Sequence, residues 1–282
     1  MATTTAPVLE LGGRSYDIQT RALVMGILNR TPDSFYDKGA TWQWDAFWSR
    51  ADQIVSEGAD ILDVGAVKAG PGPEVSEGEE LDRLVPAVQG LLARYELPVS
   101  VDTWRASVAA EAFAAGAVVG NDISGFADPK YLEVAAAAGA SVVATHIRLA
   151  PRVADPEPSY GDLVGEVCAF LSDRASRALA AGIPAERVMI DAGLDLGKSA
   201  PQSLELLRAS ATFAALGYPL LLSASNKRFL GDLLGLEVSE RTDATTAAHA
   251  LGITLGCRVV RAHDVLGTRR VRDMLAATME AE

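Results

Sequence analysis

The sequence predicts an α/β protein that folds as a (β/α)8 barrel in a single domain. Eight short apolar runs alternate along the chain with longer segments patterned as helices. The runs are continuous rather than alternating, which is typical of strands buried on both faces. Nearly every run ends in a polar residue. A closed barrel gathers such ends at one mouth, whereas an open doubly wound sheet, the alternative, spreads them along an edge.

The eight predicted strands are each four or five residues long and cover 24–28, 60–64, 99–102, 117–121, 141–145, 188–191, 220–223 and 258–261. We assign residues 1–20 to an N-terminal segment and residues 21–282 to the barrel. Three of the helical patterns lie at 162–181, 203–216 and 240–255. Ser76 and Glu79 form a capping-box pattern, and Asp128 before Pro129 predicts a second helix start.

Composition limits the classes of partner. The chain of 282 residues is 49% hydrophobic and 22% charged, enough to build a large core. Its net charge of −12 argues against nucleic acid or an anionic membrane as partner. No apolar run approaches the roughly 18 residues of a membrane span. The absence of a signal-peptide pattern and the presence of only two cysteines, Cys168 and Cys257, lead us to expect a cytoplasmic protein.

The predicted mouth combines carboxylates, amides and cations: Asp63, Asp102, Asp191, Asn29, Asn121, Lys227, Arg261 and His263. Fixed groups of this kind suit a flat heterocycle with donors and acceptors on its edge. Asn29, Arg261 and His263 lie on the first and last strands, which are neighbours once a barrel closes. Together they can hold an anion, and Mg²⁺ can join through oxygen ligands. For any single residue, the alternative is that a strand end is polar because it reaches water.

Other polar residues give weaker signals. His146 is either a site residue or a hydrogen-bonded histidine at a strand end, and His249 is predicted to be structural. Lys198 lies in LGKS without the GxxxxGK spacing of a phosphate loop, so we predict a solvated loop lysine. An aromatic cluster, expected to pack the first helix, with contact to a lid as the alternative, consists of Trp42, Trp44, Phe47 and Trp48.

One stretch, MGILNRTPDSFYDKG at 25–39, resembles the strand-one signature of dihydropteroate synthases, usually close to GILNVTPDSFSDGG. Six further motifs resemble the family in the same order: VSVDT at 99–103, GNDISG at 120–125, His146, DAGLDLGK at 191–198, SNKRFLG at 225–231 and VRAHDV at 260–265. The resemblance implies a (β/α)8 barrel that usually forms a homodimer.

The family joins the methyl group of a dihydropterin diphosphate to the amine of p-aminobenzoate, and diphosphate leaves with the help of Mg²⁺. The resemblance therefore implies that four side chains hold the pterin ring: Asp102, Asn121, Asp191 and Lys227. It implies catalytic roles for Asn29, Lys227, Arg261 and His263. Arg261 also counts among the substrate-binding residues because it would cover the ring, and Ser225 and Thr31 complete that set. Asn29 is the predicted Mg²⁺ ligand.

The departures from the family pattern fall on the second-substrate side. The family's GGESTRPG reads GAVKAGPG here, so its Thr and Arg fall on Ala69 and Gly70, and Lys68 lacks the arginine fork. The Phe that packs on the aminobenzoate ring falls on Leu196, and the Arg of SRK falls on Asn226. This pattern resembles a second, actinobacterial branch of the family without ordinary synthase activity.

The sequence thus predicts a protein that binds dihydropterin diphosphate and condenses it with p-aminobenzoate weakly or not at all. Three alternatives stay open at this stage. The chain is a slow but active dihydropteroate synthase, or a transferase that uses another amine or nucleophile, or a pterin-binding protein without turnover.

Overall fold

Eight parallel strands close into a barrel in the computed structural model, which describes residues 8–31 and 42–280. In spatial order the barrel strands run β10, β3, β4, β5, β6, β7, β8, β9 and back to β10. They are β3 (Leu23–Asn29), β4 (Ile61–Gly65), β5 (Val99–Asp102), β6 (Val119–Asp122), β7 (Ser141–Thr145), β8 (Val188–Asp191), β9 (Leu220–Leu222) and β10 (Cys257–Ala262). The predicted barrel is confirmed, and each predicted strand boundary lies within two residues of the observed one.

Ten α-helices lie in the described part of the chain: α1 (Trp44–Ser56), α2 (Glu77–Leu92), α3 (Ala106–Ala114), α4 (Tyr131–Ala137), α5 (Leu163–Ala180), α6 (Ala200–Arg208), α7 (Ser210–Ala214), α8 (Arg228–Leu234), α9 (Thr242–Thr254) and α10 (Val265–Glu280). Two short 3-10 turns cover Ala185–Arg187 and Val238–Glu240. The single helix predicted at 203–216 is wrong. The backbone leaves helical geometry at Ala209, with ψ at 8°, and divides the segment into α6 and α7.

The helix start predicted at Ser76 is confirmed, because its hydroxyl accepts the Glu79 N–H at 3.2 Å. The returning half of the capping box is replaced by an ion pair between the Glu79 carboxylate and Arg83, one turn along α2. The Glu79 side chain thus forms a contact on the surface of α2 and does not cap its first turn.

The cap predicted at Asp128 lies on a different helix. Its carboxylate accepts the N–H of Ala106 at 3.0 Å, the first residue of α3, and the N–H of Lys130 at 3.0 Å. Helix α4 begins only at Tyr131, with Lys130 as its N-cap. Because α3 has no side-chain cap of its own, a carboxylate from the loop between β6 and α4 satisfies one of its open donors.

A β-hairpin precedes the barrel and covers its floor. Strands β1 (Val8–Leu11) and β2 (Arg14–Asp17) pair antiparallel. Leu9, Leu11 and Ile18 are fully buried against residues of the barrel strands. That inner cluster includes Leu23, Met25, Ile61, Val119, Val143, Met189, Leu221 and Val259. The hairpin fills the end opposite the polar mouth, while the boundary drawn at residue 20 stays a prediction.

A second, larger core lies between the strands and the surrounding helices. Phe47 is fully buried from α1, and His249 is fully buried on α9 with its Nδ1 3.0 Å from the Thr268 hydroxyl of α10. The structural role predicted for His249 agrees with that position. No helix within 8–31 or 42–280 is long and apolar enough to cross a membrane.

Candidate functional site

The strand register brings three predicted site residues into one row at the mouth. Asn29 on β3 is paired with Gly65 on β4, Gly65 with Asp102 on β5, and Asp102 with Asn121 on β6. A methyl group built on Gly65 would lie 3.7 Å from Asn29 Oδ1 and 3.7 Å from Asp102 Oδ2. Since Gly65 carries no side chain, a hollow remains between an amide oxygen and a carboxylate.

Arg261 on β10 crosses this row and joins the buried carboxylate of Asp63 to the half-buried carboxylate of Asp102. Its Nε donates to Asp63 Oδ2 at 2.6 Å, and its Nη2 donates to Asp102 Oδ2 at 2.9 Å. Asp63 also accepts the Ser100 hydroxyl at 2.5 Å and the Asn121 amide at 3.4 Å. Burial raises the pKa of the Asp102 carboxyl, and the guanidinium of Arg261 opposes that rise. The cluster therefore holds its charges at a cost in desolvation free energy that Arg261 partly offsets.

Asp63 belongs to the predicted mouth, but it is not among the predicted catalytic, binding or metal residues. In the structure it is fully buried and anchors Arg261. The sequence signal for this role is a charged residue inside an otherwise apolar strand, two residues before Gly65, because a buried carboxylate needs a partner.

Asp191 and Lys227 form the other side of the mouth. Asp191 ends β8 and accepts the Gly193 N–H at 2.8 Å, whereas the Lys227 Nζ donates to the Leu194 carbonyl at 2.6 Å. Burial raises the pKa of Asp191 and lowers the pKa of Lys227, and each charge opposes the shift of the other. Such opposed shifts at a cleft mark a candidate functional site.

Gly193 explains why the chain can turn sharply behind Asp191. Its φ is +67°, and a Cβ there would lie 1.9 Å from the His146 carbonyl oxygen. Only glycine fits both the left-handed backbone and the close approach. The turn carries the Leu194 carbonyl to Lys227.

Ser225 and His263 lie together, as a hydrogen-bonded pair at the ends of neighbouring strands. The Ser225 Oγ is 3.0 Å from His263 Nδ1 and accepts the His263 N–H at 3.0 Å. Burial, aided by the charge of Arg261, lowers the pKa of His263 to about 3. His263 is therefore neutral at pH 7 and offers hydrogen bonding rather than positive charge to an anion.

Thr31 lies two residues beyond Asn29 and is buried. Its hydroxyl has no hydrogen-bond partner among the residues that the structure describes. Residues 32–41, which include the end of the strand-one signature at 25–39, lie outside the described part. An orphaned buried hydroxyl at the mouth fits a group that a ligand would satisfy.

The neighbouring Arg30 is also buried and is surrounded by the aromatic cluster. Its guanidinium carbon lies 3.9 Å from the Trp44 ring centroid and 4.9 Å from that of Trp42, and it donates to the Trp42 carbonyl. Burial lowers the pKa of Arg30. The predicted core packing applies to Phe47, while the two tryptophans bind a cation beside the mouth.

The prediction that Lys198 is a solvated loop lysine is wrong. Its Nζ is buried and lies 2.8 Å from His146 Nδ1, and it donates to the carbonyls of His146 at 3.2 Å and Leu196 at 3.0 Å. Burial lowers the pKa of Lys198 to about 7 and that of His146 to about 3. The lysine thus fixes the loop after β8 onto the end of β7, through a contact 52 residues away along the chain.

A cavity of about 490 Å³ lies beside the mouth, under the loops that follow β4, β7 and β8. Ala69, Gly70 and Leu196, three of the departures from the family pattern, line it. The loop after β7 is fastened over it, since Arg152 donates its backbone N–H to the Ala69 carbonyl at 2.9 Å and its Nη1 to the Lys68 carbonyl at 3.1 Å. The altered residues thus surround a formed space rather than a collapsed one.

The fourth departure, Asn226, points away from that space. It is buried with φ at +54°, and its Oδ1 accepts the Thr245 hydroxyl at 3.3 Å. The Asn226 side chain therefore secures the loop before α8 to α9.

Comparisons with known proteins agree with this geometry. The family model described as pterin binding enzyme matches residues 25–263. The chain belongs to the pterin-binding enzyme family. An inactive dihydropteroate synthase 2 of Mycobacterium leprae is 46% identical over 91% of this chain and 90% of its own length. A dihydropteroate synthase of Bacillus subtilis is 39% identical over 92% of this chain and 89% of its own length.

Solved structures show the same fold. A Yersinia pestis dihydropteroate synthase, crystallised as a sulfonamide drug complex, matches with a TM-score of 0.93 and 35% identity. The match covers 98% of this chain and all of that chain (100%). This pterin-binding family member is thus dihydropteroate synthase-like along its whole barrel. Its relatives include proteins named dihydropteroate synthase and proteins named inactive dihydropteroate synthase 2.

The buried Lys198 predicts a specific pH dependence of stability. In the unfolded chain its amine stays protonated to about pH 10.4, whereas the folded pKa is about 7. The unfolded state binds more protons between these values, so this lysine makes the free energy of unfolding rise with pH there. Replacing it in Lys198→Met should cost about 1–3 kcal/mol at pH 7 through the unpaired carbonyls, and more at higher pH.

Urea unfolding at pH 7, 8 and 9 measures this effect. The free-energy gap between wild type and Lys198→Met should widen by up to about 1.4 kcal/mol per pH unit. The exposed Lys130→Met variant is the control and should show a gap that is constant with pH. Parallel curves for Lys198→Met would contradict a buried amine that loses its proton near neutrality.

Proposed function

We propose that the protein binds a dihydropterin diphosphate at the C-terminal mouth of the barrel and condenses it poorly with p-aminobenzoate. The observation that carries the proposal is the division between two sides of one site. The side formed by Asp102, Asn121, Asp191, Lys227 and Arg261 keeps the family's residue types. The neighbouring cavity has lost side chains that the family uses for its second substrate.

The arrangement of charges supports a ring ligand. Asp102 and Asp191 offer acceptors, and the Lys227 amine and the Asn121 amide offer donors, at opposite sides of the mouth. In the described structure Arg261 occupies one oxygen of Asp102 at 2.9 Å. A ring N–H that bonds to Asp102 would replace that contact and free one arm of the guanidinium for the ring face or an anion. Ligand binding here exchanges an ion pair for hydrogen bonds, so a buried charge is never left unpaired.

The diphosphate is proposed to lie toward Asn29, Thr31 and His263. The Thr31 hydroxyl is an unsatisfied donor among the described residues, and neutral His263 can donate from its ring. Arg261 supplies the positive charge. Neutralising the charge that develops on the leaving diphosphate is the main catalytic contribution that this site could make.

Magnesium fits this arrangement through few protein ligands. Within 8–31 and 42–280, no group of three or more His, Cys, Asp or Glu side chains could hold a metal ion. Mg²⁺ commonly binds through one or two protein oxygens, substrate phosphates and water. The Asn29 amide oxygen at the edge of the hollow above Gly65 suits this, and the Thr31 hydroxyl, two residues along the chain, is a second oxygen that could join it. When bound, the ion would neutralise diphosphate charge and orient the leaving group.

A transferase that uses another amine is the second candidate, and the formed cavity of about 490 Å³ favours it. A site that had lost any second ligand would have no need for loops fastened over an open space. We also propose a cytoplasmic homodimer, in line with the composition and the family resemblance.

Calorimetric titration with 7,8-dihydropterin-6-ylmethyl diphosphate and Mg²⁺ tests ring binding. Asp191→Asn keeps an acceptor for the Gly193 N–H but loses the charge. It should weaken binding about 10- to 100-fold, since a hydrogen bond to a charged group is worth about 1.5–3 kcal/mol. Asp243→Asn, an exposed carboxylate at the start of α9, is the matched control and should bind like wild type. Absence of binding by folded wild type would refute the proposal.

The hollow above Gly65 gives an independent test with Gly65→Ala. The added methyl group would meet its neighbours at 3.6–3.7 Å, an ordinary contact distance, so the melting temperature should change by no more than a few degrees. The methyl would nevertheless occupy space between Asn29 and Asp102 that the ligand needs. We expect at least a tenfold loss of affinity in the same titration; unchanged affinity would place the ligand elsewhere.

A condensation assay with p-aminobenzoate separates the proposal from an active synthase. Product formation should be at least about a hundredfold slower than with the Bacillus subtilis relative, because an arginine and an aromatic contact are missing, each worth about 1.4 kcal/mol. A comparable rate that Asp102→Ala abolishes would replace the proposal by an active dihydropteroate synthase.

A further inference from the structure

Asp195 occupies an unusual place between the candidate pterin site and the cavity. It has φ at +65°, the left-handed backbone that favours glycine, and it is half-buried in the loop after β8. Aspartate tolerates this conformation better than most residues, yet the conformation costs free energy. The cavity wall thus contains a charged residue in a strained backbone conformation.

The carboxylate is bound to the start of α8. Its Oδ2 and Oδ1 accept the Phe229 N–H at 3.2 and 3.3 Å, and Oδ1 accepts the Ser203 hydroxyl at 3.3 Å. Helix starts present open N–H groups that attract anions. The Phe229 N–H is therefore already bound by a carboxylate of the protein and is not open to a ligand carboxylate.

The other charges around the cavity do not restore an attraction for anions. Asp155 and Asp232 also line it, so three carboxylates face two cations, Lys198 and Arg228. The Lys198 amine already contacts three acceptors, and burial lowers its pKa to about 7. Arg228 is ion-paired with Asp232 at 3.0 Å on a side chain that is 79% exposed.

Asp155 is balanced by a cation outside the cavity lining. Arg148 binds it through two hydrogen bonds, each 2.5 Å long. By contrast, no Lys, Arg or His of the described ranges forms a salt bridge with Asp195. Among the three carboxylates of the cavity wall, Asp195 is therefore the one that no salt bridge within the described ranges balances.

The remaining wall is largely apolar, with Pro71, Ile147, Ala150, Pro156 and Leu196 among its residues. We infer that the cavity binds an amine with an apolar body and no carboxylate, and that Asp195 is the residue that excludes carboxylates. This inference rests on the proposed pterin site for its meaning in a transfer reaction, but amine binding to the cavity can be measured by itself.

The test compares two anilines of nearly equal shape, 4-aminobenzoate and the neutral 4-aminobenzamide. Each is titrated calorimetrically into wild type, first alone and then with 7,8-dihydropterin, diphosphate and Mg²⁺ present. Wild type should bind the amide at least tenfold more tightly than the carboxylate. Equal affinities, or no binding of either amine at millimolar concentration, would overturn the inference.

Variants locate the effect. Asp195→Gly suits the φ of +65° and frees the Phe229 N–H, so affinity for 4-aminobenzoate should rise at least tenfold while that for the amide stays within twofold. Asp195→Asn keeps an acceptor for both hydrogen bonds and removes the charge, so it carries the test if the glycine variant does not fold. It should reduce the preference for the amide at least threefold.

Asp243→Asn is the matched control, because it removes an exposed carboxylate that lies outside the cavity lining and should leave the ratio of affinities within twofold. An equal change in both variants would mean that overall charge, not Asp195, sets the selectivity, and the assignment would fail. Pterin binding is read separately in the calorimeter. Loss of pterin binding with amide selectivity retained would refute the proposed function alone, and pterin binding without selectivity would refute this inference alone.

Discussion

Closure of the barrel between β10 and β3 is the constraint on which the site depends. In the register of these strands, Val259 pairs with Leu23 and Ala262 pairs with Gly26. This register fixes the position of Arg261 along the barrel axis. From that position its guanidinium reaches Asp63 on β4 and Asp102 on β5, which lie 198 and 159 residues earlier in the chain. A shift of one residue would turn the arginine to the outer face, because successive side chains of a strand point to opposite sides.

The charges held by this closure are expensive to bury. A buried ion pair seldom stabilises a protein by itself, because desolvation offsets most of the attraction. Here one arginine serves two carboxylates, while Asp191 and Lys227 shift each other's protonation without an ion pair between them in the described structure. On the proposed function, groups left incompletely paired in this way gain hydrogen bonds from the ligand, and the free energy that their burial costs the barrel is recovered on binding.

The sequence predicted the barrel well because its strands are buried on both faces and end in polar residues, both of which are local patterns. The floor hairpin was missed although VLELGGRSYD contains a signal, two short runs separated by Gly12 and Gly13. The burial of Lys198 had no local signal, since it depends on His146 far away in the chain. Likewise, the displaced cap at Asp128 arises from a tertiary contact, with the Ala106 N–H, that overrides local propensity.

A charged residue of the cavity wall competes with a ligand for the same hydrogen-bond donor. A carboxylate carried by the chain, as at Asp195, is already positioned and loses little freedom when it binds the Phe229 N–H. A free carboxylate must give up translational and rotational freedom for the same contact. Intramolecular competition therefore favours Asp195 even where the individual hydrogen bonds, at 3.2 and 3.3 Å, are unexceptional. On the proposed selectivity, Asp195 thus decides which second ligand the cavity accepts, while the pterin side of the mouth keeps the residue types of the family.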